Sequence, residues 1–126
     1  MNELILKANF LHNESEELKN NLNIISQQVE ELIQFDQNIS SLKDVKNKEL
    51  ISSIGKGVFV KTSMQEKEFF VEVGSGIVVK KTLEETKKAI SAQIKKLNDV
   101  KVHLSEQVAV YEIALQDLIK KISKNN

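Results

Sequence analysis

An apolar residue recurs every seven positions in two separate stretches of this 126-residue chain, and this repeat limits the possible folds more than any other feature. In the first stretch it holds for six successive heptads, at Leu4, Leu11, Leu18, Ile25, Leu32 and Ile39. In the second it holds for six more, at Leu83, Ile90, Leu97, Leu104, Tyr111 and Leu118. A sustained spacing of seven is typical of coiled-coil helices.

A companion set of residues, most of them apolar, follows each repeat, as the seam of a coiled coil requires. In the first arm the companions lie four residues after a repeat position, at Ala8, Ser15, Leu22 and Val29. After Leu32 the spacing shortens to three, at Phe35 and Leu42, which predicts a stammer that overwinds the supercoil. In the second arm the companions are Ile94, Lys101, Val108, Leu115 and Ile122.

The glycines divide the chain, because helices disfavour glycine and all four lie between Gly55 and Gly76, while proline is absent. β-branched and aromatic residues flank Gly55-Lys56-Gly57 and Gly74-Ser75-Gly76, which predicts strands over 50–54, 58–62, 69–73 and 77–81 and therefore two hairpins in tandem. Thr82 and Glu85 have the spacing of a capping box at a helix start. We predict one mostly α domain of the α+β class over 1–126, with a helix at 1–46, hairpins at 49–81 and a helix at 82–124.

The two arms have matched lengths, which favours pairing within one chain. An antiparallel hairpin centred near Thr62 would place Leu42 near Leu83 and Leu4 near Ile122. A parallel coiled coil between two chains is the alternative.

Apolar side chains lie on both faces of the predicted strands, and two hairpins cannot hide both faces by themselves. We therefore expect them to bury this surface against other subunits, with open strand edges also seeking partners. In the alternative, the hairpins fold back on their own helices. The predicted interface residues are Val58, Phe59, Val60, Phe69, Phe70, Val71, Val73, Ile77, Val78 and Val79.

Composition argues against several functional classes. The 18 basic residues, all of them lysine, balance 18 acidic ones, so the chain has no net attraction to nucleic acid or anionic lipid. It has no cysteine, no long apolar run and no phosphate-binding loop, and His12 and His103 belong to no cluster of histidine, cysteine and carboxylate residues at metal-ligand spacing. We expect a cytoplasmic protein without membrane segment, cofactor or metal, and not an enzyme.

The central segments, GKGVFVK from Gly55 and FVEVGSGIVVKKT from Phe70, resemble the α-class subunit of the prefoldin family, as does the order helix, two hairpins, helix. The resemblance implies an ATP-independent holding chaperone. Its two α-class and four β-class subunits would form a hexamer with a β-barrel built from the hairpins. The ends of its coiled coils would bind unfolded proteins and deliver them to a group II chaperonin.

Such a chaperone needs exposed apolar groups at the open ends of its arms. Residues of this kind that the seams do not require, together with the seam residue Leu4, form a predicted client-binding group, which we call the tip set: Leu4, Ile5, Leu6, Phe10, Val110, Ile113 and Ile119. Concentrated exposed apolar residues usually indicate an interaction site. A structural subunit of a prefoldin-like assembly, without general client holding, is the alternative function.

Overall fold

The computed structural model describes residues 2–43, 49–64 and 68–124. Its elements are helix α1 at Asn2–Ser40, strands β1 at Glu49–Gly55, β2 at Val58–Ser63, β3 at Glu68–Gly74 and β4 at Ile77–Thr82, and helix α2 at Leu83–Lys124. The predicted fold class, two long helices with two β-hairpins between them, is confirmed. Contacts divide the chain into a first unit, residues 1–31 with 94–126, and a second unit, residues 32–93.

The first unit consists of helix alone, with the beginning of α1 beside the end of α2, so the helices pair in antiparallel fashion within one chain. An ion pair joins them, since Lys19 Nζ lies 2.7 Å from Glu112 Oε1. The predicted pairs Leu42/Leu83 and Leu4/Ile122 place Lys19 level with residues 106 and 107 of α2. Glu112, the ion-pair partner of Lys19, lies five residues beyond position 107 on α2.

The seam follows the predicted repeat, with burial recurring every three or four residues along both helices. Two paired helices have only a narrow core. Its most buried apolar side chains in the described residues are Val29, Ile39, Leu83 and Ile90. Ser15 and Thr86 are buried as well, and they are polar. The Thr86 hydroxyl donates to the Thr82 carbonyl oxygen at 2.9 Å, whereas Ser15 Oγ has no hydrogen-bond partner in the described part of the chain.

The predicted stammer after Leu32 is wrong. Phe35 is 47% exposed, while Asp36 is half-buried. The seam thus keeps its spacing of four from Leu32 to Asp36 and then three to Ile39. Helix geometry decided which residue faces the partner helix, although Phe35 is the more hydrophobic of the two.

The first helix also ends earlier than position 46. It stops at Ser40, and residues 41–43 form a turn in which the Ser41 hydroxyl donates to the Asn38 carbonyl oxygen at 2.6 Å. The rest of the predicted extension lies outside the described residues. With the observed seam spacing, the position after Ile39 is the exposed Lys43, so the apolar repeat itself ends at Ile39, next to the helix end.

Each hairpin forms its own antiparallel two-stranded sheet, β1 with β2 and β3 with β4. The loops are Lys56-Gly57 and Ser75-Gly76, with φ of 49° and 77° in the first and 50° and 75° in the second. Two successive positive φ angles are required by a type I′ turn, the form that matches strand twist. The predicted tandem hairpins are confirmed, and each carries a register shift next to its loop.

Helix α2 begins with the predicted capping box. The Glu85 amide donates to Thr82 Oγ1 at 3.1 Å, and the Thr82 amide donates to Glu85 Oε1 at 3.2 Å. These two bonds satisfy amides that the first helical turn leaves free. The pKa of Glu85 is lowered from its ordinary value. The largest cause is the hydrogen bond from the Thr82 amide, followed by the hydrogen bond with the Thr82 hydroxyl and by the positive charges of the nearby Lys81 and Lys88.

Candidate interaction surfaces

The second hairpin has one half-buried face and one exposed face. Cross-strand partners share a face, and Val71 pairs with Val79 while Phe70 pairs with Lys80. Phe69, Val71 and Val79 are half-buried on the first face. Phe70 and Val78 are exposed on the opposite one, where Phe70 is 70% exposed. Near the loop, Val73 and Ile77 are exposed as well.

Lys80 organises the exposed face of the second hairpin. Its ammonium lies 5.8 Å from the centre of the Phe70 ring and 3.4 Å from Glu68 Oε2. All three groups are on the surface, so the ion pair contributes little to stability. Phe70 remains exposed beside Lys80.

The first hairpin differs from the second on the face that corresponds to the half-buried face of the second hairpin. Positions equivalent to Val71 and Lys81 are occupied by Ser52 and Thr62, whose hydroxyls share a 2.7 Å hydrogen bond. Thr62 Oγ1 also donates to the Leu50 carbonyl oxygen at 3.4 Å. The exposed apolar residues of this hairpin are Ile51, Ile54, Val58, Phe59 and Val60.

All ten predicted interface residues are therefore at least partly accessible. Seven are exposed, and Phe69, Val71 and Val79 are half-buried. The sequence analysis omitted Ile51 and Ile54, which are also exposed. Alternation places Ile51 on the face opposite the half-buried Leu50 and Ser52, whereas Ile54 lies at the register shift between Ser53 and Gly55, which alternation does not predict.

The tip set belongs to the first unit. Leu4 is half-buried, as its position in the seam requires. The other six residues, Ile5, Leu6, Phe10, Val110, Ile113 and Ile119, are exposed. Leu6 and Phe10 are four residues apart and so are neighbours on one face of α1. Both helices thus carry apolar side chains that the seam does not use.

The middle parts of the helices also carry exposed apolar residues. In the first unit Ile24, Val100 and Val102 are exposed, and in the second unit Ile33 and Phe35 are exposed. Except for Phe35, which the sequence pattern places in the seam, these residues belong to neither the predicted repeat nor its companions.

Comparison with known proteins decides the family. The family model described as "Prefoldin subunit" matches residues 11–125. The chain belongs to the prefoldin family. A solved structure of filamentous prefoldin from Methanocaldococcus jannaschii has the same fold, with a TM-score of 0.79 and 24% sequence identity over 96% of this chain and 99% of the other. No curated protein sequence matches the chain.

Membership of the prefoldin family makes this chain a chaperone-type subunit, and its surface fits that class. Prefoldin subunits assemble into oligomers with other prefoldin subunits. In the part of the chain that the structure describes, no helix is both long and apolar enough to cross a membrane. Within the same residues, no group of three histidine, aspartate or glutamate side chains is arranged to hold a metal ion.

Proposed function

We propose that this prefoldin-family chain is an α-class subunit of an ATP-independent holding chaperone in the cytoplasm. It assembles through its hairpins with β-class subunits into an α2β4 hexamer. The tip set binds unfolded proteins, which the hexamer passes to a group II chaperonin. The two hairpins support the α class, since the resemblance that implies this class includes both of them.

The exposure of the tip set is the observation that carries the holding function. A seam residue must be buried to hold the helices together, but Leu6, Phe10 and Ile113 are exposed on helices whose seams are filled by other residues. Exposed apolar clusters cost solubility and are kept where they bind something. Contacts of this type have no strict geometry, which suits clients without a common sequence.

Release without nucleotide follows from the weakness of each contact. Burying one aliphatic or aromatic side chain contributes about 1.5–3 kcal/mol before ordering costs. Holding then depends on several tips acting on one client, where each bound tip raises the effective concentration of the next. A chaperonin that covers some of the tips lowers the affinity of the rest.

The first test replaces Leu6 and Phe10 together by serine. We expect the double variant to keep its helix content and assembled mass but to lose suppression of aggregation of a chemically denatured enzyme. Removal of residues 1–10 and 116–126 should have the same effect. Retention of full suppression by the double variant, at equal mass and helicity, would exclude the tip set and favour the structural role.

The matched control is Ile24→Ser. Ile24 is an exposed aliphatic residue on the same helix, outside the tip set. The Ile24→Ser variant should suppress aggregation of the denatured enzyme as well as the wild type does.

The assembly is tested by native mass, first for the chain alone and then after mixing with a β-class subunit. A hexamer containing two copies of this chain is expected from the mixture. A compact monomer in both samples would contradict assembly through the hairpins.

Assembly of this chain with itself into filaments is the second candidate. It is favoured by the likeness to a filamentous prefoldin and by the two separate sheets, each with open edges. Electron microscopy of the purified chain distinguishes the two, because filaments are visible without any β-class subunit. In that case the tips would be displayed along a filament.

A further inference from the structure

The end of α1 in the second unit places polar residues where its seam calls for apolar ones. The seam spacing runs through Asp36 and Ile39 to the exposed Lys43. The residues just before the two polar ones are apolar, and they lie to one side of the seam. Of these, Phe35 is 47% exposed and Leu42 is half-buried. In each neighbouring pair, the seam uses the less hydrophobic residue.

Both polar positions leave the seam incompletely packed. Asp36 Oδ1 is buried, and no group in the described part of the chain forms a hydrogen bond with it. A buried acceptor without a partner costs free energy. At the other position, an open depression has Leu83 as its one apolar lining residue, and the rest of the lining is Lys43, Glu84, Lys87, Lys88 and Ser91. No apolar side chain of α1 therefore closes the seam beside Leu83.

A modest rotation of α1 would exchange the polar residues for the apolar ones. Leu32 and Ile39 belong to two possible inward-facing sets. The observed set adds Asp36 and Lys43, and the second set adds the residue before each of them. At about 100° per residue, the centres of the two sets differ by about 50° around the helix axis. The second set has the spacing predicted from the sequence, which the observed position of α1 lacks.

The turn that follows α1 already has the tight winding that the second set requires. The Leu42 amide donates to the Ile39 carbonyl oxygen at 3.0 Å, and the Lys43 amide donates to the Ser40 carbonyl oxygen at 3.1 Å. Each bond spans three residues, so the backbone is wound more tightly than in an α-helix. A seam spacing of three requires overwinding of this kind. The half-burial of Leu42 agrees with this geometry, since the tight turn brings its side chain toward the seam.

We propose that the end of α1 is a rotary switch with two positions, the observed one with Phe35 exposed and a second one with Phe35 in the seam. The second position buries an aromatic ring and exposes the Asp36 carboxylate to water. The observed position keeps regular α-helical winding as far as Ser40. Because these contributions oppose each other, both positions are populated. The inference does not depend on the proposed holding function.

The switch makes the surface of this part of α1 adjustable. The Phe35 ring is accessible in one position and hidden in the other. A partner that contacts the ring therefore favours the observed position, and it shifts the equilibrium by the difference between its affinities for the two positions. Fixing the observed position by substitution strengthens binding of such a partner in return.

The test follows Phe35 by fluorine NMR in the full-length protein labelled with 4-fluorophenylalanine. The label has nearly the shape of phenylalanine, and the Phe35→Leu variant assigns its signal among those of the five phenylalanines. The change in chemical shift between H₂O and D₂O reports contact of the ring with solvent. We expect an exposed and a protected Phe35 signal, or one signal of intermediate exposure if exchange between the positions is fast.

Two substitutions should shift the equilibrium toward the observed position. Asp36→Leu should leave the exposed signal alone, because leucine fills the seam in that position. Leu42→Ser should raise the ratio of exposed to protected Phe35 about fivefold, the effect of losing part of one aliphatic contact in the second position. Leu42 lies seven residues from Phe35, so this effect requires that the two side chains turn together.

Gln37→Ala is the matched control, because Gln37 is exposed and lies next to Asp36. It should leave the ratio of the two signals unchanged. A wild-type Phe35 signal identical to that of Asp36→Leu, or a protected signal alone, would overturn the inference. Equal changes in Gln37→Ala and Leu42→Ser would also overturn it, because the signals would then report local effects and not a rotation.

Discussion

The helix seam and the hairpin surfaces differ in what determines whether a hydrophobic residue is buried. In the seam, the polar residues Ser15 and Asp36 are turned inward while Phe35 is exposed. On the hairpins, Phe59 and Phe70 are exposed although the chain has only five phenylalanines. In the seam, helical spacing determines which side chain is buried. On the hairpins, one chain supplies too little cover for two apolar faces.

This difference predicts where a substitution changes the stability of the single chain and where it changes assembly. Seam variants should alter unfolding of the chain by itself. Hairpin variants on exposed faces should alter the mass of the assembly and leave the folded chain nearly unchanged.

Ile39→Ala should have the largest effect. Ile39 is 4% exposed, and its truncation should lower the free energy of unfolding by about 2–4 kcal/mol, since the cavity adds to the lost burial. Thermal unfolding followed by circular dichroism measures the change. Ile33→Ala, at an exposed position of the same helix, is the control and should have a small effect. An equal decrease in the free energy of unfolding for Ile39→Ala and Ile33→Ala would show that the helix seam does not follow the observed burial.

Asp36→Leu should stabilise the chain. Asp36 Oδ1 is buried and has no hydrogen-bond partner among residues 2–43, 49–64 and 68–124, and such a group costs about 1–3 kcal/mol. Leucine at this position would also restore the apolar repeat. A higher melting temperature at unchanged mass is the expected result.

Asp36→Asn is the control for Asp36→Leu, because it keeps the shape and polarity of the side chain without its charge. It should stabilise the chain less than leucine does. A lower melting temperature for Asp36→Leu would show that the carboxylate makes a favourable contact in solution.

Asp36 also shows how much of this fold could be predicted from sequence. The heptads predicted both helices, the glycine loops predicted both hairpins, and the spacing of Thr82 and Glu85 predicted the start of α2. The sequence prediction placed Phe35 in the seam instead of Asp36, because hydrophobicity favours Phe35 whereas the spacing of four favours Asp36. The pairing of Lys19 with Glu112 joins segments distant in sequence, which a periodic pattern does not specify.

The candidate surfaces were predictable to a similar extent. Alternation identified most exposed hairpin residues, and the ends of the arms identified the tip set. The exposed Val102 was missed, because an isolated valine in a charged stretch belongs to neither the apolar repeat nor its companions.

Gly76→Ala should cost about 1 kcal/mol and leave all packing intact. Gly76 has φ of 75°, which side chains other than glycine disfavour, and a β-carbon there would meet no heavy atom within 4 Å. The loss is therefore a property of the backbone alone. Gly76→Asn should cost less, because asparagine tolerates this conformation. Hydrogen exchange of the β3 and β4 amides measures the stability of the hairpin in both variants. An equal loss of stability in Gly76→Ala and Gly76→Asn would contradict the explanation from backbone conformation.

Phe70→Ser should change the free energy of unfolding of the single chain by less than about 0.5 kcal/mol, as is usual for exposed positions. The same variant should shift the assembly toward smaller species, because the exposed face of the second hairpin would lose its largest apolar group. Analytical ultracentrifugation gives the mass, and unfolding at high dilution gives the stability. A strongly destabilised monomer would mean that Phe70 packs on its own chain.

The smallest effect should be the pH dependence at the start of α2. The pKa of Glu85 is lowered in the folded chain, chiefly by the Thr82 amide, so the unfolded chain binds its proton more readily. The capping box therefore contributes its full stability above the ordinary pKa of glutamate, about 4.3, and loses it as the pH falls through the lowered folded value. Glu85→Gln keeps a hydrogen-bond acceptor without a titrating group, and it should show a flatter acid limb in melting temperature against pH. Identical acid limbs for Glu85→Gln and the wild type would show that other carboxylates govern the acid response of this helix.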